Sequence, residues 1–290
     1  MSIFIKEMFY TLYTMLHVLK CRSFLNLPSY KENINGKCAV IGAGPSLKET
    51  LLISGNLLDD IPKMCVNNMV ESNEYESLKP KYYVLLDPGY FSDNISDSLR
   101  ESKDKFVDAM ISKTKWNMIL YLPWHSRGNK ELQKISSNNS LIQIVYFNSN
   151  IVRGFRMFKF LLFKKNLGMI QAQNVLVAAL FIALNIGYKE IYLLGADHSW
   201  HENIVLNEDN QVCVKQIHYY DDNKLVVHRP IYKNSEETET FKMNELFTAW
   251  SLVFKGYYDL KQYALHLNAR IINISTKTYI DAFERIDLKK

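Results

Sequence analysis

The chain has 290 residues, 48% of them hydrophobic, and a formal charge of +5 from 35 basic and 30 acidic residues. That is enough apolar material to fill the core of a large globular domain, which excludes a disordered or fibrous chain. The basic residues are dispersed and no zinc-finger or RNA-recognition signature accompanies them, so nucleic acid is not an expected partner. Cys21, Cys38, Cys65 and Cys213 show no CxxC spacing and read as reduced thiols of a cytoplasmic protein.

Residues 1–30 form the first segment. Ile3 to Leu19 is apolar and aromatic, with Lys6, Glu7, His17, Lys20 and Arg22 interrupting or flanking it. No small-residue cleavage site follows, which argues against a secretory signal. The uninterrupted part, Met8–Val18, is too short to span a bilayer. Two readings stand open: a helix lying peripherally on the inner-membrane surface, and a helix packed on the body or against another copy in a homo-oligomer.

Residues 31–290 read as a single α/β domain. Lys37-Cys-Ala-Val-Ile-Gly-Ala-Gly-Pro-Ser-Leu-Lys-Glu49 is a buried strand, a glycine turn and a helix start in one run. Gly42 and Gly44 let the backbone turn tightly and approach a ligand. Ser46 and Glu49 have capping-box spacing, and a helix N-terminus that opens on such a turn suits a phosphate. The dinucleotide fingerprint needs glycine at Leu47 and the phosphate loop needs Gly-Lys-Ser/Thr, so neither motif is present. Lys63–Val66 reads as a second strand ending at Asn67-Asn68, and Lys81–Leu86 as a third broken by Asp87-Pro-Gly89. In a parallel sheet these ends gather on one rim, where ligands of open α/β sheets sit. Each of these Asn and Asp residues also reads, alone, as a turn residue.

Helices near 92–105 and 127–136, and strands near 116–122 and 141–147, continue the alternation. It predicts a doubly wound, mostly parallel, Rossmann-like sheet. Arg153–Lys165 is basic and aromatic, either a surface helix with an aromatic core face or one that touches a membrane or lipid-linked acceptor. Gln171–Ile186 reads as a buried helix ended by Gly187, and Glu190–Leu194 as a central strand leading to Gly195-Ala-Asp197. Residues 198–234 run long without strong periodicity and read as a lid that carries His201, His218 and His228. Helical spacing returns from Glu236 to Leu267, and a last strand near 270–274 ends in Ser275-Thr-Lys-Thr278, whose hydroxyls suit phosphate or sugar. Asp197-His198 with His201 lacks a third ligand at a spacing that completes a metal site.

Gly42-Ala-Gly-Pro-Ser-Leu47, Asn67, Asp87-Pro-Gly89, Gly187 through Asp197, and His218-Tyr-Tyr-Asp221 occur in that order over about residues 37–280. This series resembles the bacterial sialyltransferases of glycosyltransferase family 42. It also resembles a wider group of surface-polysaccharide transferases and pterin-diphosphokinase-like proteins with the same opening motif. The resemblance implies a glycosyltransferase-A variant of the fold. It also implies metal-independent, inverting transfer of an acidic sugar of nonulosonate, sialic acid or Kdo type. The donor is a CMP-activated nucleotide sugar with no further cofactor, and the acceptor a glycan or lipid-linked glycan of lipopolysaccharide or capsule. Gly42, Ala43, Gly44, Ser46, Asn67, Asp87, Gly89, Gly195 and Asp197 would hold the nucleotide, with Ser275 beside them. Gln173 and Asn174 take the place of the pair that reads cytosine. His218, with His228 in reserve, would be the base, and Tyr219 and Tyr220 would donate to the departing phosphate. Ala43 and Asp87 stand where that family has Asn. The alternatives are a pterin-type diphosphokinase using ATP and magnesium with Asp87 and Asp197 as ligands, and a non-catalytic nucleotide-binding subunit of polysaccharide assembly.

Overall fold

The alternation of short apolar runs with helical stretches builds, in the computed structural model, an eight-stranded sheet covered on both faces. The structure describes residues 3–21, 36–217 and 226–288. Helix α1 (Ile3–Cys21) is followed by β1 (Lys37–Ile41), α2 (Leu47–Ser54), β2 (Lys63–Val66), α3 (Tyr75–Leu78) and β3 (Tyr82–Val84). Next come α4 (Asp97–Lys113), β4 (Met118–Pro123), α5 (Lys130–Asn138), β5 (Ile142–Phe147), α6 (Arg156–Lys164), α7 (Val175–Ile186) and β6 (Glu190–Leu194). The chain ends with β7 (Ile204–Leu206), β8 (Val212–Ile217), β9 (Val226–Pro230), α8 (Met243–His266), β10 (Arg270–Asn273) and β11 (Glu284–Arg285).

The large sheet has the order β11-β10-β6-β1-β2-β3-β4-β5, and its pairings are parallel. The chain winds outward from β1 to β5, then returns to β6 on the other side of β1. The order therefore reverses between β1 and β6, and that reversal opens a crevice beyond their carboxyl ends. Side chains of β1 alternate between two cores. Cys38 and Val40 pack with α6, α7 and α8, whereas Ala39 and Ile41 pack with α2, α3, α4 and α5. Burial on both faces explains why the central strands read as continuous apolar runs.

One expectation is corrected and one open reading is narrowed. The segment expected as an irregular lid carries, within its described residues, a three-stranded antiparallel sheet in the order β7-β8-β9. Its strands are short and half-exposed, so their period is too brief to stand out in the sequence. The N-terminal helix packs on the body along one face only, with Val18 in the core while Phe9, Leu12 and Leu16 stay in solvent. No described helix is long and apolar enough to cross a membrane. Cys38, Cys65 and Cys213 are free and buried, and burial pushes their thiols up, which keeps them protonated and inert.

Candidate functional site

The turns that follow β1 and β6 interlock. A Cβ on Gly42 would lie 2.5 Å from the carbonyl oxygen of Gly195, one on Gly44 2.1 Å from Asp197 Oδ2, and one on Gly195 2.1 Å from the carbonyl oxygen of Gly42. Gly195 also has φ of +62°. The glycines are therefore required by contact between the two turns, and the backbone N–H groups are used there too. Gly42 donates to Leu194 and Gly44 to Gly195, each at 2.9 Å.

Asp197 completes the lock. Its Oδ1 accepts from the backbone N–H of Ser46 at 3.0 Å and its Oδ2 from the Ser46 hydroxyl at 2.8 Å. The positive end of α2 is thus met by the protein's own carboxylate, in the place where a phosphate was expected. The expected capping box is absent. The helix begins at Leu47 with no side-chain cap, and Glu49 accepts from the Thr276 hydroxyl at 3.0 Å. Burial pushes the Asp197 carboxyl up, opposed by the two Ser46 donors. Ser275 and Thr278 brace the same turn. The Ser275 hydroxyl accepts from the Ala196 N–H at 3.2 Å, and the Thr278 hydroxyl donates to the Ala196 carbonyl at 2.8 Å.

Beyond the interlocked turns lies a cleft of about 290 Å³, at the lower edge of small-ligand sites. It brings together Gly42, Ala43, Gly44, Asn67, Asn174, Gly195 and Asp197 of the expected residues. Asn67 stands out chemically. Its backbone is left-handed, with φ of +48°, and is fixed by the buried Tyr83, whose hydroxyl donates to the Asn67 carbonyl and accepts from the Val70 N–H. Its side-chain Oδ1 is buried with no hydrogen-bond partner, a condition that costs about 1–3 kcal/mol when nothing fills it. Asn174 caps α7, accepting from the Leu176 N–H at 2.8 Å, so one lone pair of its oxygen is taken.

His198, Trp200, Asn203 and Val214 line the cleft and were not assigned from the sequence. The first three follow a strand's end within nine residues, which is a usable signal, whereas Val214 arrives through the small sheet and has none. His198 Nε2 and the Tyr257 hydroxyl share a 2.7 Å hydrogen bond, and the Trp200 ring lies 4.2 Å from the His198 ring. Burial pushes the His198 imidazole down to about 3 from an ordinary 6.5, so it is neutral at physiological pH. Because the folded value is depressed, the stability linked to it is complete above about pH 6.5 and is lost as pH falls toward 3. Urea unfolding should therefore show stability falling by up to about 1.4 kcal/mol per pH unit between pH 6 and 4.5 from this group. His198→Gln should remove that component.

The other expected residues lie elsewhere. Asp87 is exposed, and its Oδ1 accepts from the Gly89 N–H at 2.9 Å, capping the short turn Pro88–Tyr90. Gln173 is exposed and outside the cleft wall. His228 pairs with Lys215 in the small sheet while Arg229 pairs with Val214. Alternation along the strands therefore directs His228 to the face opposite Val214, away from the cleft. His218, Tyr219 and Tyr220 lie outside the described residues. His201 packs on Tyr279 at 4.4 Å between ring centroids, apart from the Tyr257 contact of His198. No group of three or more His, Cys, Asp or Glu able to hold a metal occurs among the described residues.

A family model described as 6-hydroxymethylpterin diphosphokinase MptE-like matches residues 7–203. Among solved structures, the MAf glycosyltransferase from Magnetospirillum magneticum AMB-1 is similar at 12% identity, with a TM-score of 0.48 over 89% of this chain and 34% of that one. The chain thus spans about a third of that protein's length. No curated protein matches.

Proposed function

The chain belongs to the MptE-like family, and from that premise we propose that it is a nucleotide-dependent transferase whose cleft holds the donor. The finer reading is glycosyl transfer from a CMP-linked acidic sugar of nonulosonate or Kdo type to a hydroxyl of a surface glycan, with inversion. The observation that carries donor binding is the unpartnered Oδ1 of Asn67 in the cleft wall. An amide oxygen only accepts, so its ligand must bring an N–H or O–H. A ribose hydroxyl or the exocyclic amine of a base supplies one, and a phosphate oxygen does not. Trp200, whose ring packs against His198 and Trp250, adds aromatic surface to the cleft wall.

In the proposed reaction the acceptor oxygen bonds to the anomeric carbon, and the bond from that carbon to the CMP phosphate breaks with its electron pair leaving on CMP. The acceptor proton passes to His218. Such a reaction needs positioning, one base and donors to the leaving phosphate.

The family's description favours a second reading, diphosphate transfer from ATP to a pterin-type alcohol. Magnesium would then share Asp197 with Ser46, which bonds both of its oxygens, whereas Asp87 accepts through Oδ1 alone. Calorimetry separates the two. Binding of CMP that needs no magnesium is expected, and tight binding of ATP with magnesium but not of CMP would establish the second reading. Asn67→Ala should weaken CMP binding about threefold to tenfold, the worth of one neutral hydrogen bond. Asn67→Gly, which adopts positive φ freely, serves if the alanine variant is unstable. Unchanged affinity in both variants would remove Asn67 from the site.

A further inference from the structure

A second cavity, of about 400 Å³, shares no wall residue with the cleft and lies between α1, residues 151–156, α6 and α8. Its wall carries Lys6, Arg153, Arg156, Lys159 and Lys255 against Glu7 and Asp259. Among the described residues none of the five cations is in an ion pair. Lys6 and Arg153 instead sit over the same Tyr10 ring, at 5.9 and 5.8 Å from its centroid. The positive field reaches further, since His266 on α8 is held below its ordinary value by burial and then by Lys164 and Arg156. Five cations gathered in a cavity against two carboxylates, two of them over an aromatic ring, leave a seat for an anion.

The neighbouring helix presents the complementary apolar surface. The Thr14 hydroxyl donates to the Arg153 carbonyl at 2.9 Å and accepts from its N–H at 3.2 Å, and the Thr11 hydroxyl accepts from the Phe155 N–H at 2.9 Å. Gly154, with φ of +114°, allows this approach, because a Cβ there would lie 2.2 Å from the Thr11 hydroxyl. These contacts fix the rotation of α1 about its axis. The stripe Ile5, Met8, Phe9, Leu12, Leu16 and Leu19 then faces away from the body at helical spacing, with Phe9 63% and Leu16 65% exposed. Lys6 and Tyr10 lie on the flank between that stripe and the cavity.

We propose that this face docks on an anionic phospholipid bilayer, the α1 stripe lying among the acyl chains and the basic cavity taking a lipid phosphate headgroup. Charge decides between occupants. A second copy would set the same five cations against each other, whereas an anionic leaflet complements them. The arrangement is that of an interfacial helix with basic residues at headgroup height.

The test is flotation of the 290-residue protein with vesicles of phosphatidylcholine alone and with about a third phosphatidylglycerol. Partition onto the anionic vesicles should be at least about tenfold higher and should fall in high salt. Arg156→Glu and Lys159→Glu should each weaken it roughly fivefold or more, the worth of one basic side chain at such a surface. Leu12→Asp combined with Leu16→Asp should abolish it while circular dichroism stays that of the parent. Equal binding to neutral and anionic vesicles, or binding indifferent to the two charge reversals, would overturn the proposal. So would a dimer in light scattering that the Leu12 and Leu16 variant converts to monomer, since the stripe would then belong to a second copy.

Discussion

Gly195→Ala should destabilise the fold by about 3 kcal/mol or more, a large share of the 5–15 kcal/mol that holds a typical domain together. Two costs add at this position. The residue sits at φ of +62°, where an L side chain costs about 1–2 kcal/mol. Its new Cβ would lie 2.1 Å from the carbonyl oxygen of Gly42 and 3.0 Å from the carbonyl carbon, which are backbone atoms with no rotamer to escape through. Forcing them apart costs about 1–3 kcal/mol more. Relief by movement is blocked, because β1 and β6 are paired from Lys37 opposite Glu190 to Ile41 opposite Leu194 in the middle of the sheet. Gly55 supplies the internal control. It has φ of +50° and ψ of −135° with nothing within 4 Å of its Cβ, so Gly55→Ala should show a backbone cost without a steric contact. Urea midpoints measure both. A loss in Gly195→Ala of no more than about 1–2 kcal/mol, the backbone cost alone, would mean that the interlock of the turns after β1 and β6 contributes nothing.

That interlock also marks where sequence reasoning succeeds and where it stops. Lys63–Val66 and Glu190–Leu194 emerge with the boundaries expected of them, because a strand buried on both faces must be a short apolar run between turns. The parallel order and the gathering of strand ends follow from the alternation with helices. Asp197 is different. A carboxylate just beyond a strand reads as a ligand contact, and only the fold brings Ser46, 151 residues away in sequence, to both of its oxygens. The same holds for Gly42 and Gly44, whose lack of a side chain suits a close ligand and a close backbone equally. Asn67 could be placed at the rim from the sequence, but its left-handed backbone and unpartnered oxygen depend on Tyr83 in the next strand. His228 fails for a related reason. Its face is set by a register with β8 that no local pattern states.

His218→Ala should lower turnover by roughly two to four orders of magnitude while donor affinity stays near that of the parent. In the proposed glycosyl transfer the acceptor hydroxyl loses its proton as it attacks, and a positioned base within hydrogen-bond reach is worth that factor. Histidine suits the task near neutral pH. Of the imidazoles in the cleft wall and the small sheet, His198 is buried, bonded to Tyr257 and depressed to about 3, which makes it a weak base. His228 faces away from Val214 by the pairing of β8 with β9. His218 lies four positions after Val214 in the sequence and outside the described residues. His228→Ala should accordingly keep most of the activity, and the acid limb of the pH–rate profile should disappear with His218 alone, because only a base that is lost on protonation produces it. Single-turnover rates and donor titrations of the two variants distinguish chemistry from binding. More than about a tenth of parental turnover in His218→Ala would exclude it as the base, since no positioned general base is worth so little.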